Sequence, residues 1–231
     1  MKRLRRLSGQ ERRAGIIAAV REVFAVKGFH ATTTRELAKA AGVSEALLFK
    51  HFPTKDELYA AVLRSVIDDE LGRHVRGAFE DLEPNSTTLV LIVHYFYAAL
   101  LAGRSASGGR IDILPRLMFQ STMSDGVFAR LFLQEVPTRW VAKLEDCVRA
   151  ATAAGEIPKD AAPPNLRGWF AHHLAVMLLV QHLPDPPTID YGVARDQITE
   201  HAVRFALRGI GLPHEAVQRL YDPSRLAAPV R

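Results

Sequence analysis

Apolar residues recur at helical spacing along the whole chain of 231 residues. Between residues 10 and 27, Ile16, Val20 and Phe24 recur every four residues, which places them on one face of a helix. Alternating apolar and polar positions and Asn-Gly hairpin turns, the usual signals of strands, are missing from the sequence. The pattern therefore predicts an all-α protein.

The longer helices follow from the same periodicity. A capping box formed by Thr54 and Glu57 opens one of them. Pro115 and Pro137 lie inside helical patterns and are expected to kink or break them, and a short helix is expected after Pro213. The predicted spans are 55–79, 86–103, 111–122, 125–154, 163–183 and 191–210.

Two short helices occupy residues 33–52. Thr33 and Glu36 form a capping box at the start of the first, and Gly42 permits a sharp turn after it. Ser44 caps the second helix and Pro53 ends it. This order is the pattern of a helix-turn-helix motif.

The two faces of the second short helix have different chemistry. Apolar and small residues form a centre between the helices: Leu37, Ala38, Ala41, Val43, Leu48 and Phe52. The outer side then carries Glu45, Ala46, Leu47, Phe49 and Lys50. A helix held in this way can enter the major groove of DNA.

Charge is distributed unevenly along the chain. Residues 1–62 hold 12 Lys and Arg against 6 Asp and Glu, whereas residues 63–231 hold 18 against 19. Such asymmetry suggests that the N-terminal end meets a polyanion, either nucleic acid or a membrane surface, although the basic arm lacks the apolar face that membranes require. Two interpretations of the arm stay open, a DNA-contacting segment or a solubilising tail. Its basic residues are Lys2, Arg3, Arg5, Arg6, Arg12 and Arg13.

Composition and motifs argue against several other classes of protein. Cys147 is the only cysteine, so an intrachain disulfide and a cysteine-based zinc site are excluded. The N-terminus lacks the apolar stretch of a secretory signal, and we expect a cytoplasmic protein without a membrane span. A GxSxG elbow, a P-loop and GxGxxG are all missing, which disfavours an enzyme.

Residues 10–60 resemble the DNA-binding domain of TetR-family transcriptional regulators. The resemblance rests on three stretches in order: VFAVKGFHATTTRELAKAAGVS, SEALLFKHF and PTKDELYAAV. It covers about a quarter of the chain, and the remainder is only consistent with the family in being helical. The resemblance divides the chain into a DNA-binding domain at 1–54 and a ligand-binding and dimerisation domain at 55–231.

The resemblance implies a homodimer that binds a palindromic DNA operator, and usually repression relieved by a small molecule. Thr33, Arg35 and Lys55 would contact phosphate, and Phe49 and Lys50 would contact base or backbone. The family often has Tyr at the position of Phe49 and a small or polar residue at that of Leu47. Base-facing positions would be Ser44, Glu45, Ala46 and Leu47.

The C-terminal part offers candidates for an effector pocket that binds a mostly apolar molecule. His94, His173 and Gln181 would orient the effector, whereas His172 is expected to face away. Adjacent His172 and His173 cannot readily share one metal ion, so neither a metal nor a cofactor is predicted. The candidate pocket residues are His94, Tyr95, Met118, Phe119, Trp169, His173, Met177 and Gln181.

Two other functions remain as hypotheses at this point. One is an enzyme that works in a helical cavity, and the other is a protein that binds DNA independently of its sequence. Loss of affinity on scrambled DNA separates the regulator from the second of these.

Overall fold

The computed structural model describes residues 8–70, 79, 81–101, 113–135, 137–159 and 162–226. Every regular element within these ranges is a helix, which confirms the predicted fold class. The basic residues at positions 2–6 and the predicted loop at 103–109 lie outside the described ranges. The helices are α1 Gly9–Ala31, α2 Thr34–Ala41, α3 Glu45–His51, α4 Lys55–Glu70, α5 Ser86–Leu101, α6 Ile113–Thr122, α7 Val127–Glu135, α8 Pro137–Ala153, α9 Pro164–Gln181, α10 Arg195–Ile210 and α11 His214–Leu220.

The two prolines that were expected to interrupt helices behave differently. Pro137 is the first residue of α8, so the span predicted at 125–154 is divided into two helices. Pro115 is the third residue of α6 and does not break it. The first turn of a helix has no intrahelical acceptor for its N–H groups, so a proline there loses nothing.

Helix packing divides the chain into two compact units. The first falls within residues 1–73 and 112–133, and the second within 74–111 and 134–231. These units describe helix packing, and the domain boundary predicted at residue 54 stays a prediction.

In the first unit, α1 is the central helix, and α2, α4 and α6 all pack against it. Phe24 and Val20 on α1 are fully buried, as are Val62 on α4 and Leu117 on α6. Gly28 adopts φ 76° and ψ 174°, which kinks α1 near its C-terminal end.

In the second unit, α5, α8, α9 and α10 enclose one continuous apolar core, and α11 packs against α5 and α10. Tyr97 lies fully buried in this core, where its hydroxyl donates to the Ala171 carbonyl at 2.6 Å. None of the helices in the described ranges is long and apolar enough to cross a membrane.

Candidate functional site

The turn between α2 and α3 is built by the residues that predicted it. Thr33 and Glu36 form the complete capping box of α2. Gly42 ends that helix in the left-handed conformation, at φ 64°, which a residue with a side chain rarely adopts. The Ser44 hydroxyl then accepts from the Leu47 backbone N–H at 3.2 Å. Each helix therefore begins at a side-chain cap, and the glycine fixes the turn between them.

The α3 helix has one buried side and one exposed side. Leu48 and Phe52 are buried, each at most 2% accessible, whereas Phe49 is 39% accessible. The predicted outer side is confirmed for Phe49 and for three further exposed residues, Glu45, Ala46 and Lys50; Leu47 is half-buried. Packing thus holds the helix from one side only.

Arg13 stabilises the end of α3 in a way that the sequence analysis missed. Its guanidinium lies 4.0 Å from the centre of the Phe52 ring and donates to the His51 carbonyl. A cation near a helix C-terminus interacts favourably with the exposed carbonyls there. Arg13 is therefore part of the folded unit. Nothing in its local sequence signals a contact with residues 38 positions away.

The Glu36 carboxylate links the N-terminal cap of α2 to α1. It accepts from Lys27 and from the Thr33 N–H and hydroxyl, the latter two at 2.9 Å each. The Lys27 hydrogen bond, followed by those of Thr33, lowers the pKa of Glu36 to about 2. The carboxylate is therefore ionised at neutral pH and accepts these hydrogen bonds as an anion.

Glu45, predicted to face bases, is engaged within the protein. The Thr34 hydroxyl donates to its carboxylate at 2.8 Å, which links the start of α2 to the start of α3. One carboxylate oxygen is occupied in this way. Its proposed contact with a base thus competes with a structural role.

Lys55, predicted to hold a phosphate, has partners of its own. Its ammonium donates to the Thr32 carbonyl at 2.8 Å and lies 4.3 Å from the centre of the Phe29 ring. The ammonium has three N–H donors, so a phosphate can be bound in addition. Thr33 and Arg35, the other predicted phosphate contacts, are exposed at the start of α2.

Known proteins share both the motif and the fold. A sequence model described as bacterial regulatory proteins, tetR family, matches residues 16–62. The transcriptional regulator HbdR of Aromatoleum sp. (strain CIB) is 30% identical over 63% of this chain, and the match spans 60% of HbdR. The transcriptional repressor KstR2 of Rhodococcus jostii (strain RHA1) is 28% identical over 69% of this chain and 78% of that protein.

The fold agrees with a solved structure over most of its length. AibR, crystallised with isovaleryl coenzyme A and operator DNA, superposes with a TM-score of 0.62 at 16% identity, covering 84% of this chain and 97% of AibR. Residues 16–62 of this chain are thus similar to the tetR family of bacterial regulatory proteins.

The eight candidate pocket residues are divided between the two units, and the pocket stays a prediction. Met118 and Phe119 lie on α6, in the first unit, where Phe119 is exposed. The other six lie on α5 and α9, in the second unit.

His94 and Tyr95 on α5 have separate neighbours. The Nδ1 atom of His94 lies 3.3 Å from the Tyr221 hydroxyl, and burial lowers the pKa of this histidine. Tyr95 packs against Phe79, with ring centres 5.8 Å apart. Both residues are half-buried. Because Tyr221 directly follows α11, its contact with His94 holds that segment against α5.

His172 and His173 are placed the opposite way to the expectation. His172 is buried between Phe96 and Trp169, with ring centres 5.5 and 5.3 Å away, whereas His173 is exposed. The buried histidine is therefore the polar group that faces apolar side chains. Sequence periodicity leaves this choice open, because either of two adjacent residues can face the core.

Met177 and His173 instead lie on an exposed face of α9, together with Phe170 and Leu166. These four follow at intervals of three or four residues, so they form one stripe along the helix. The Gln181 amide, half-buried, donates to the Met177 sulfur at 3.6 Å. On α10, Phe205 is 69% accessible. Exposed aromatic residues on a pair of adjacent helices are typical of an interaction surface.

We expect the protein to lose stability in mild acid because of His172. Burial, followed by the charge of His173, lowers the pKa of His172 from 6.5 to about 4. Between these values the unfolded chain binds a proton that the folded chain does not. The free energy of unfolding should then fall, by up to about 3 kcal/mol, as pH drops from 6.5 to 4.

Urea denaturation at a series of pH values measures this dependence. His172→Leu should flatten it in that range, whereas His214→Leu, at an exposed histidine, should leave it unchanged. Equal slopes for the wild-type protein and His172→Leu would contradict the assignment.

Proposed function

We propose that the protein is a transcriptional regulator that binds a specific DNA operator through α3. The observation that most supports this proposal is the one-sided burial of α3. Leu48 and Phe52 hold the helix to the first unit. The opposite side leaves Ala46, Phe49 and Lys50 exposed. A rigid helix with one free face fits the major groove. The family match over residues 16–62 supports the same function.

Several of the predicted DNA contacts then have a proposed role. Arg35 and Lys50 bind phosphate, because cations fix the register of a protein on the duplex. The Thr33 hydroxyl and N–H already donate to Glu36, so a phosphate would compete for them. Ser44, Ala46 and Leu47 face bases at the start of α3. Leu47 has no hydrogen-bonding group, so it would discriminate by contact with a thymine methyl group.

We propose further that the protein acts as a homodimer through the exposed faces of α9 and α10. Two helices from each subunit would bury Phe170 and Phe205 in a four-helix interface. A two-fold dimer places its two α3 helices about one turn of DNA apart, on the order of 34 Å, and calls for an operator with two inverted half-sites.

We propose that a small molecule controls this binding and that the protein represses transcription. AibR was crystallised with both an acyl coenzyme A and operator DNA, and KstR2 is a repressor; these names support the proposal. The proposed effector is mostly apolar and uncharged or weakly acidic, since His172, Phe96 and Trp169 offer one neutral polar group among aromatic rings. A ligand that binds better to the form that does not bind DNA lowers operator affinity by linkage.

Selection of binding sites from random DNA tests the proposed function. The purified protein should enrich an inverted repeat with half-sites about 10 base pairs apart, centre to centre. Recovery of sequences without a consensus would favour binding independent of sequence, and recovery of no DNA would favour another function.

Lys50 should set part of the salt dependence of that binding. Lys50→Ala should remove one phosphate contact in each subunit, and a dimer then releases two fewer counterions. The slope of log affinity against log salt should become shallower by about 2, with the same preferred sequence. Fluorescence anisotropy of the labelled operator at several salt concentrations measures the slope.

Lys159→Ala provides the matched control, because Lys159 is exposed in the second unit. An unchanged slope for Lys50→Ala would contradict the phosphate role. Lys50 is preferred to Lys55 for this test, since replacing Lys55 also removes its hydrogen bond to Thr32.

A further inference from the structure

A glutamine on α6 binds the backbone of α1 directly before its kink. The Gln120 side-chain amide donates to the Ala25 carbonyl at 3.1 Å and to the Val26 carbonyl at 3.3 Å. These residues are about 95 positions apart in the sequence but belong to the same compact unit. The contact therefore joins α6 to the helix on which α2 packs.

The kink explains why these carbonyls accept a side-chain donor. Gly28, at φ 76° and ψ 174°, interrupts the helical backbone of α1. The last carbonyls of a helical segment lack the N–H groups that would follow in a continuous helix. Gln120 supplies donors to two of them, and thus acts as a C-terminal cap that comes from another helix.

Gly28 also makes the approach of Gln120 possible. A Cβ atom built on Gly28 would lie 2.9 Å from the Gln120 Oε1 atom, which is closer than such atoms approach in folded proteins. That oxygen is buried and makes no hydrogen bond to the described residues. The hydrogen bonds that the amide nitrogen donates therefore hold the side chain in place.

A second contact, from α4, lies at the kink of α1. Tyr59 on α4 packs against Phe24 and Phe29, which flank the kink, with ring centres 4.9 and 5.0 Å apart. Burial raises the pKa of Tyr59 to about 12, and the charge of Asp125, directly after α6, adds to the rise. The aromatic residues on both sides of the kink are therefore packed against α4 as well.

We infer that Gln120 is a positioning residue for DNA recognition: by capping α1 at the Gly28 kink it sets the direction in which the chain enters α2 and α3. The inference rests on the proposed function. Loss of the cap frees the kink to reorient, and the α2–α3 pair then samples orientations that do not fit the operator.

Two substitutions separate the hydrogen bonds from the shape of the side chain. Gln120→Glu keeps the shape but directs an anionic oxygen at two carbonyl oxygens, and Gln120→Met keeps the length without donors. Gln218→Glu, on the exposed side of α11, makes the same charge change in the second unit.

Hydrogen exchange followed by mass spectrometry is the measurement that needs no DNA. In Gln120→Glu, amides in the peptide that spans residues 27–37 should exchange about tenfold faster, because a hydrogen-bonded cap is lost. Peptides from α9 and α10 should be unchanged. Gln120→Met should fall between Gln120→Glu and the wild-type protein, and Gln218→Glu should match the wild type.

Affinity for the selected operator is the second readout. It should fall at least about tenfold in Gln120→Glu, less in Gln120→Met and not at all in Gln218→Glu. Exchange at residues 27–37 that is the same in all four proteins would overturn the inference, as would faster exchange there with unchanged operator affinity. A wild-type protein that selects no operator would contradict the proposed function alone, since the exchange experiment still tests the cap.

Discussion

Replacing Phe205 with aspartate should convert a dimer into a monomer. Phe205 is the most exposed aromatic residue on α10, and a two-fold interface contains it twice. Loss of each buried phenyl ring costs about 2 kcal/mol, and a carboxylate in its place adds a desolvation cost. The dimer dissociation constant should therefore rise at least about 1,000-fold.

Analytical ultracentrifugation at micromolar concentration measures this change. Met123→Asp is the matched control: Met123, at 79% accessible, is even more exposed, but it follows α6 in the first unit. That variant should remain dimeric. Phe205→Asp should also lose most of its operator affinity, because a monomer contacts one half-site only. A dimeric Phe205→Asp protein would show that this face is not the interface.

Phe52→Ala should mainly lower stability, whereas Phe49→Ala should mainly lower affinity for DNA. Phe52 is 1% accessible, so its truncation leaves a cavity and removes the ring on which Arg13 lies. The free energy of unfolding should fall by about 3–5 kcal/mol. Phe49 lies three residues earlier on the exposed side of α3, and its truncation should change stability by less than about 1 kcal/mol.

The two variants also differ in their effect on the operator. Phe49→Ala should weaken operator binding although the protein stays folded, whereas binding by Phe52→Ala should follow its folded fraction. Urea denaturation and anisotropy on the same samples give both quantities. A folded Phe49→Ala protein with wild-type affinity would remove Phe49 from the proposed DNA surface.

Local signals in the sequence were sufficient for the helix-turn-helix motif. The caps at Thr33 and Ser44 and the turn at Gly42 depend on residues within three positions of one another, so one short segment contains all the information. The burial of Leu48 and the exposure of Phe49 follow from helical periodicity in the same way.

Contacts between distant residues could not be predicted. Arg13 is part of a basic run and gives no sign that it stacks on Phe52, and Gln120 is one polar residue on an ordinary helix. The pocket prediction, which stays untested, also depends on contacts between distant residues. It combined residues from α5, α6 and α9 by residue type alone, and periodicity could not decide between His172 and His173.

Specific recognition of DNA is measured by the ratio of the affinities for the selected operator and for a scrambled duplex. Anisotropy titrations at one physiological salt concentration should compare the selected operator with a duplex of the same composition in scrambled order. The operator should bind at least about 1,000-fold more tightly, as it does for proteins that bind DNA specifically. Equal affinities for the two duplexes would contradict specific recognition.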